Sequence, residues 1–350
     1  MQKNNSTTVV KSAIDSILAT TGIVEIISST TPGFSSMGQT SRSAVLAELI
    51  KLGYSAKITI INCYEDLQNL VARKPDLVVL GMMRTPFDCL NNSKIWLSDY
   101  LELHGITHTG SPTSAHMLES NKSLAKQRVL DLGLESSAYF VAKTDQIIQR
   151  SDIQSMTYPL FIKPSRMNGG VGIDKYSVVN NFKQCTSKIQ SIFLDLRSDA
   201  LIEEYLCGRE FSVAILKNMG SDSYKIMPIE LVAPEDDRGH RMLSSKVKQA
   251  DAEVATEVTD MVLHSKLSSL AIQIFHALGA RDYGRIDIRL DRFGVPQFLE
   301  ANLIPSLISF YGSFPKACKI YYDMEYPDMI KSIVELALAR KIVDKISATV

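Results

Sequence analysis

The segment Gly284-Arg285-Ile286-Asp287-Ile288-Arg289-Leu290-Asp291-Arg292-Phe293-Gly294-Val295-Pro296-Gln297-Phe298-Leu299-Glu300-Ala301-Asn302 decides the fold. Ile286, Ile288 and Leu290 alternate with Arg285, Asp287 and Arg289, the two-residue period of a half-buried strand. Arg292-Phe293-Gly294 supplies a turn, and Gln297-Phe298-Leu299 begins the returning strand. The hairpin carries a carboxylate on each strand, Asp287 and Glu300, with Asn302 beside them. Three oxygen donors without His or Cys suit a hard cation, Mg²⁺ rather than zinc. Such an ion keeps positions open for phosphate oxygens, so the hairpin points to nucleotide chemistry.

Upstream, Leu160-Phe161-Ile162-Lys163-Pro164 reads as an apolar strand ending in a lysine and followed by Asn168-Gly169-Gly170-Val171-Gly172. Glycines let backbone N–H groups close on phosphate oxygens, and the lysine adds a point charge. A glycine-rich turn alone is weak evidence and is more often structural than not; its value here comes from the lysine strand and the Asp/Glu/Asn hairpin in the same chain. Neither the P-loop pattern nor the dinucleotide fingerprint after the first strand occurs.

The first third alternates strands (Gly22–Ser28, Ala56–Asn62, Asp76–Gly81) with helices (Ser41–Leu52, Asp66–Lys74, Ser93–Leu103). That order predicts a doubly wound parallel sheet, with the Thr31–Gly38 loop after its first strand at a ligand-binding edge. A helix over Asn121–Leu132 precedes strands at Ser137–Ala142, Leu160–Pro164, Ile173–Val179 and Leu201–Leu206. Further strands are expected at Phe211–Leu216 and Tyr224–Val232, and helices at Val258–Leu278 and Met329–Ile342. The charged stretch Pro234–Glu253 reads as a lid or a solvated surface loop.

Of 350 residues, 45% are hydrophobic and 22% charged, which fits an ordinary globular protein of two or three domains. Lys+Arg and Asp+Glu are both 38, so no basic excess marks a nucleic-acid binder. The polar Met1–Ala19 stretch lacks a signal-like apolar core, and no apolar run of about 18 residues suggests a membrane span. Cys63, Cys89, Cys185, Cys207 and Cys318 are scattered, which predicts reduced thiols and a cytoplasmic protein. His104 and His108 have helical spacing, but Gly105-Ile106-Thr107 between them argues against a metal pair. Met117, Met156 and Met167 read as packing residues.

Taken in order, these pieces resemble the ATP-grasp superfamily, and within it the D-alanine–D-alanine ligase family, over about Ile106–Leu307. The segments that carry the likeness are Gly105–Ser111, Asn121-Lys122-Ser123, Ile162–Arg166, Leu201–Leu206 with Gly208–Phe211, and Gly284–Asp287 through Glu300–Pro305. The resemblance implies an α/β, three-domain ATP-grasp fold in which two α+β domains clasp ATP. Residues 1–120 would form the N-terminal substrate-binding domain, 121–207 the central lid domain, and 208–350 the C-terminal catalytic domain.

It further implies roles. Lys122 and Lys163 would hold ATP phosphates beneath a lid of Gly169, Gly170 and Val171. Glu203, Glu204, Tyr205 and Leu206 would form the strand that reads adenine, Glu210 would bind the ribose, and Leu299 would join this cofactor-binding set. Asp287, Glu300 and Asn302 would hold Mg²⁺. Arg285, Lys246 and Ser306 would form the catalytic set, with Arg285 stabilising the transferring phosphoryl group. Phosphoryl transfer rests on positioning and charge neutralisation, which these groups supply.

Departures from the family pattern fall on the substrate side. The Thr31–Gln39 loop lacks the glutamate that meets the first D-alanine's amine, and Gly81–Asp88 replaces a histidine- and glycine-rich segment. Gly169 stands for a lid serine, Val247 for a tyrosine and Ser306 for a glycine. Arg84 reads as a carboxylate clamp or as a surface cation. The expected activity is an ATP-dependent carboxylate–amine ligase forming an amide through an acyl phosphate, in a specialised biosynthetic pathway. Small acids and amines, most simply amino acids, would be its substrates, and a homodimer its assembly. The alternatives are a divergent D-alanine–D-alanine ligase of cell-wall synthesis, an ATP-grasp protein with a non-amine acceptor, and a non-catalytic ATP-binding regulator.

Overall fold

The structure is a computed structural model that describes residues 22–88, 93–167, 169–250, 252–309 and 311–347. The expectations for Met1–Ala19, Cys89 and Asn168 lie outside the described residues.

Three sheets organise the chain. β1 (Ile23–Ser28), β2 (Ser55–Ile60) and β3 (Leu77–Leu80) form a parallel sheet in the order β2-β1-β3. Helices α1 (Gln39–Lys51) and α2 (Tyr64–Ala72) make the crossovers. All four residues of β3 are buried, as expected for a parallel strand covered on both faces. Glu25 is the exception within β1: it is fully buried, and the Arg73 guanidinium donates to it twice, at 2.8 and 2.7 Å. α3 (Leu97–Leu103) and α4 (Thr113–Glu119) then lead to α5 (Lys122–Asp131), whose N-cap Asn121 accepts from the Leu124 N–H.

The second sheet is antiparallel, in the order β4 (Tyr139–Ala142), β7 (Ala200–Glu204), β5 (Leu160–Pro164), β6 (Val178–Val179). The strand expected over Ile173–Val179 is cut to two residues. Asp174 and Ser177 close a turn there, with the Ser177 N–H bonded to the Asp174 carbonyl at 2.9 Å. The sheet packs on α6 (Phe182–Leu196), a helix absent from the sequence expectations, through Cys185, Ile189 and Ile192.

The third sheet runs β10 (Val254–Glu257), β9 (Tyr224–Val232), β8 (Glu210–Lys217), β11 (Tyr283–Leu290), β12 (Pro296–Asn302). α8 (Met261–Ala277) covers one face, burying Leu267, Ala271, Ile274 and Phe275 against Val213, Ile215 and Ile286. α9 (Ser313–Tyr322) and α10 (Tyr326–Ser347) share another core with β1, β3 and α1. The charged Pro234–Glu253 loop contains a short helix, α7 (Ser245–Gln249). Among the described residues no helix is long and apolar enough to cross a membrane, and the four described cysteines are free thiols.

Candidate functional site

The two antiparallel sheets contribute the walls of one cavity. Lys122, Lys163, Gly170, Val171, Glu203, Glu204, Tyr205, Leu206, Glu210, Asp287, Leu299 and Glu300 line it. The pairing of β11 with β12 explains why the carboxylates meet. Asp287 stands opposite Glu300, and the register then shifts so that Ile288 faces Phe298, leaving Leu299 as the extra residue of a bulge. A bulge re-aims side chains locally, and here it brings both Leu299 and Glu300 to the cavity wall.

Asp287 is fixed by three donors: Ser212 Oγ at 2.9 Å, Arg285 Nη2 at 2.9 Å and Asn302 Nδ2 at 3.1 Å. Lys122 Nζ lies 3.4 Å from Glu300 Oε2 and donates to the Met167 carbonyl at 2.6 Å. Burial pulls the Lys122 pKa below its ordinary value, with Glu300 opposing. Arg285 donates through Nη1 to Ser313 Oγ at 2.7 Å. Burial would lower its pKa, but Asp287 together with Glu300 and Glu210 outweighs that and raises it above its ordinary value. Two carboxylates and an amide, all oxygen donors on paired rigid strands, form a donor set that fits Mg²⁺.

Behind the cavity wall lies a buried chain of charges. Glu203 sits between Lys126 Nζ and Lys163 Nζ, each 2.7 Å away. Lys126 is fully buried and also reaches Ser136 Oγ, Ser137 Oγ and the Phe298 carbonyl at 2.9–3.0 Å. Burial would raise the Glu203 pKa, but the two ammonium groups overcome it and hold the carboxyl below its ordinary range. The lysines share that carboxylate unequally. Burial dominates at Lys126 and lowers its pKa, whereas at Lys163 burial is outweighed by Glu203 together with Glu300 and Glu210. The Glu203 side chain is therefore engaged in bracing the two lysines, and Glu203 also lines the cavity.

The glycine-rich turn meets the charged loop. Gly170 has φ +75°, and a Cβ there would fall 2.6 Å from the Ser245 N and 2.9 Å from the Leu243 carbonyl. Only glycine lets this turn seat on residues 243–245. Gly169 is exposed beside it, outside the wall. The loop is tied down from below by Arg289, which donates to the Arg241 carbonyl at 2.9 Å, to Glu210 Oε2 at 3.2 Å and to the Gly208 carbonyl at 3.0 Å. Its guanidinium also lies over the Tyr205 ring, 5.3 Å from the centroid.

Two expected residues stand apart. Lys246 is exposed on α7, with Leu243 rather than Lys246 at the cavity wall. Ser306 is half-buried beyond β12, where its carbonyl backs Gly312. Arg285 and Asn302 do not line the cavity but bond directly to Asp287. Met167 lines the cavity instead of only packing, whereas Met117 is exposed. His104 ends α3 and His108 pairs with Glu102 at 3.0 Å, and among the described residues no three His, Cys, Asp or Glu side chains gather as a metal site.

Sequence reasoning missed Lys126, Arg289, Ser212 and Ser313. Lys126 falls one helical turn after Lys122, and Arg289 follows Arg285 and Asp287 on one strand face, so both spacings carried a signal.

Comparison with known proteins agrees with this geometry. The family described as "D-ala D-ala ligase C-terminus" matches residues 130–335. A D-alanine–D-alanine ligase of Bordetella petrii is 32% identical over 246 residues, covering 70% of this chain and 72% of the relative. An uncharacterized protein of Sinorhizobium fredii, y4sG, is 28% identical over 244 residues, covering 69% of each. The crystal structure of a Bacillus anthracis D-alanine–D-alanine ligase complexed with ATP superposes with a TM-score of 0.73 at 18% identity, covering 92% of this chain and 99% of that one. That likeness extends to the three-sheet architecture.

Proposed function

The chain belongs to the D-alanine–D-alanine ligase family, ATP-dependent enzymes that form carbon–nitrogen bonds, and from that premise we propose that it joins a carboxylic acid to an amine in a specialised biosynthetic pathway. The observation that carries the reading is the Asp287–Glu300 pair, in register beside Lys122 and lining one cavity with Lys163. A carboxylate oxygen of the acid attacks the γ-phosphorus of ATP, and the bond to ADP breaks. The resulting acyl phosphate is attacked at carbon by the amine nitrogen, which gives up its proton as phosphate leaves and the amide forms.

Lys122 and Lys163 receive phosphate oxygens, and Arg285 meets charge on the transferring group. The strand Glu203–Leu206 and Leu299 enclose the base, and Glu210 takes the ribose. Asp287, Glu300 and Asn302 would hold Mg²⁺, which would neutralise phosphate charge. Gly170 seated on residues 243–245 excludes water that would hydrolyse the acyl phosphate. Lys246 and Ser306 would act only after a shift of α7 and of the segment beyond β12. We further propose the division at residues 1–120, 121–207 and 208–350, a homodimer and a cytoplasmic location.

The specialised pathway rests on the substrate loops: Gln39 is exposed on the first turn of α1, and no carboxylate occurs over Thr31–Gln39. A second reading, a divergent D-alanine–D-alanine ligase, is favoured by the 32% identical relative that bears that name. ADP release measured over pairs of amino acids, with mass spectrometry of the products, separates the two. D-alanine alone giving turnover in the usual range of ~1–10³ s⁻¹ would establish the second reading and overturn the first.

A further inference from the structure

The glycine-rich turn forms part of the cavity wall through Gly170, Val171 and Ile173. Gly170 seats on the charged loop, and the residues after it are held by α6. Lys188 lies on the buried face of that helix, its side chain only 4% exposed. Its Nζ donates to the Gly172 carbonyl at 3.0 Å and stands 3.0 Å from Asp174 Oδ1. That carboxylate oxygen also accepts the Tyr176 N–H at 2.8 Å, while the Asp174 N–H donates to Ser177 Oγ at 3.1 Å. Lys188 thus grips a turn already closed on itself. Gly172 is wedged beside it: a Cβ there would fall 2.6 Å from Pro164 Cγ, next to Lys163, and 2.7 Å from Leu196 Cδ1 at the end of α6.

The other residues on the inner face of α6, Cys185, Ile189 and Ile192, serve packing, which would favour an apolar side chain at 188 as well. A buried ammonium is tolerated only where acceptors compensate it. The ion pair adds little to global stability, because Asp174 is half-exposed. What it fixes is the position of the turn against α6. Two residues beyond Asp174, the Arg238 guanidinium of the charged loop lies 5.5 Å from the centre of the Tyr176 ring. Residues 170–176 therefore make a strap that meets the charged loop at both ends, Gly170 and Tyr176, and is bolted to α6 in between. With the middle fastened, the two loop contacts form together. Released, the strap can keep one contact and lift its Gly170–Val171 end from the cavity.

We propose that Lys188 is a positioning residue of the ligase reaction: it holds the strap shut while the acyl phosphate exists, and so sets how much of that intermediate passes to the amine and how much to water. This inference rests on the ligase reading. In the competing step a water oxygen attacks the acyl carbon and gives its proton to solvent. The bond to the phosphate oxygen breaks and the free acid returns, so ATP becomes ADP and phosphate with no amide formed. A closed lid excludes the water that this loss requires. Lys188 touches no reacting atom. Its ammonium acts through the Gly172 carbonyl and the Asp174 carboxylate.

The full chain is assayed with ATP, Mg²⁺ and pairs of amino acids, D-alanine with itself and then mixed D- and L-pairs. ADP and amide product are both measured, and their ratio reads the leak to water. With the most productive pair the wild type should release ADP and amide in nearly equal amounts. Lys188→Met should raise the ratio of ADP to amide about tenfold, or 1.4 kcal/mol of partition, and leave the KM for the acid within about twofold. Lys188→Arg, which keeps a donor at the same place, should recover most of the coupling. Asp174→Asn weakens the same grip at a half-exposed position, so it should shift the ratio in the same direction even if Lys188→Met does not fold. An unchanged ratio in the folded variants, with ADP and amide falling in step or not at all, would make Lys188 a structural residue only. That result would overturn the proposal and leave the ligase reading standing. Neither ADP nor amide from the wild type with any pair would overturn both.

Discussion

Replacing Glu203 with glutamine removes one charge from a buried trio and leaves two ammonium groups facing a neutral amide. In the wild type the carboxylate lies 2.7 Å from both Lys126 and Lys163. Removing one partner of a buried pair costs about 3–5 kcal/mol, because the other charge stays desolvated. The lysines have other contacts: Lys126 keeps the Ser136, Ser137 and Phe298 oxygens, and Lys163 still feels Glu300 and Glu210. The lower end of the range, about 3 kcal/mol, is therefore expected. At roughly 2–4 °C per kcal/mol, thermal unfolding followed by circular dichroism should fall by about 6–12 °C.

The pH dependence gives a second reading of the same change. The folded-state pKa of Glu203 is depressed, so its contribution is fully present above the ordinary carboxylate range and is lost as pH falls through the folded value. The gap between wild type and Glu203→Gln should stay constant from about pH 8 to pH 5 and close only below about pH 4. A shift below about 2 °C, or a gap that closes near neutral pH, would refute the bracing role.

Further outcomes follow from the other contacts. Asp287→Asn should leave the fold intact but lower kcat for ADP formation by ~10²–10³-fold, the scale of one lost electrostatic stabiliser; near-normal activity at saturating Mg²⁺ would remove Asp287 from the site. Lys163→Ala should weaken ATP binding by about 1.5–3 kcal/mol while sparing adenosine, a contrast calorimetry reads directly. Gly170→Ala places a methyl group 2.6 Å from the Ser245 N, so it should lower kcat and make the 234–253 loop more susceptible to limited proteolysis. Arg289→Met frees the Arg241 carbonyl and Glu210 together. It should raise the KM for ATP about tenfold or more, the scale of a charged hydrogen bond of 1.5–3 kcal/mol, whereas an unchanged KM would make Arg289 a packing residue.

What could be read from the chain alone was what depends on local pattern. The β11–β12 hairpin announces itself through strict alternation and the Asp291–Gly294 turn, and the structure pairs Asp287 with Glu300 as the alternation implies. Strand β5 with its terminal Lys163 is equally local. Lys126 could not be assigned in the same way. Its burial depends on Glu203 and on the Phe298 carbonyl, which lies 172 positions away in the chain. Family likeness assigned the strand Glu203–Leu206 to the base, and the contact of the Glu203 carboxylate with two lysines is a feature that local pattern does not carry. The over-long strand at Ile173–Val179 failed because Asp174 and Ser177 close a turn inside an otherwise β-prone run. Helix α6 was hidden by its polar residues. Lys188 lies on its buried face, donating to the Gly172 carbonyl at 3.0 Å. In the charged loop, chain order could not tell which side of α7 faces the cavity, and Lys246 lies on the exposed one.

Isotope transfer tests the central claim most directly. Acid substrates labelled with ¹⁸O in the carboxylate, D-alanine and glutarate among them, are incubated with the protein, ATP, Mg²⁺ and an amine, and the released phosphate is examined by mass spectrometry. Attack of a carboxylate oxygen on the γ-phosphorus requires that each phosphate carry one ¹⁸O from the acid, in step with ADP formed. Turnover that releases ADP with unlabelled phosphate would mean that water or another acceptor takes the phosphoryl group, and the acyl-phosphate account would be wrong.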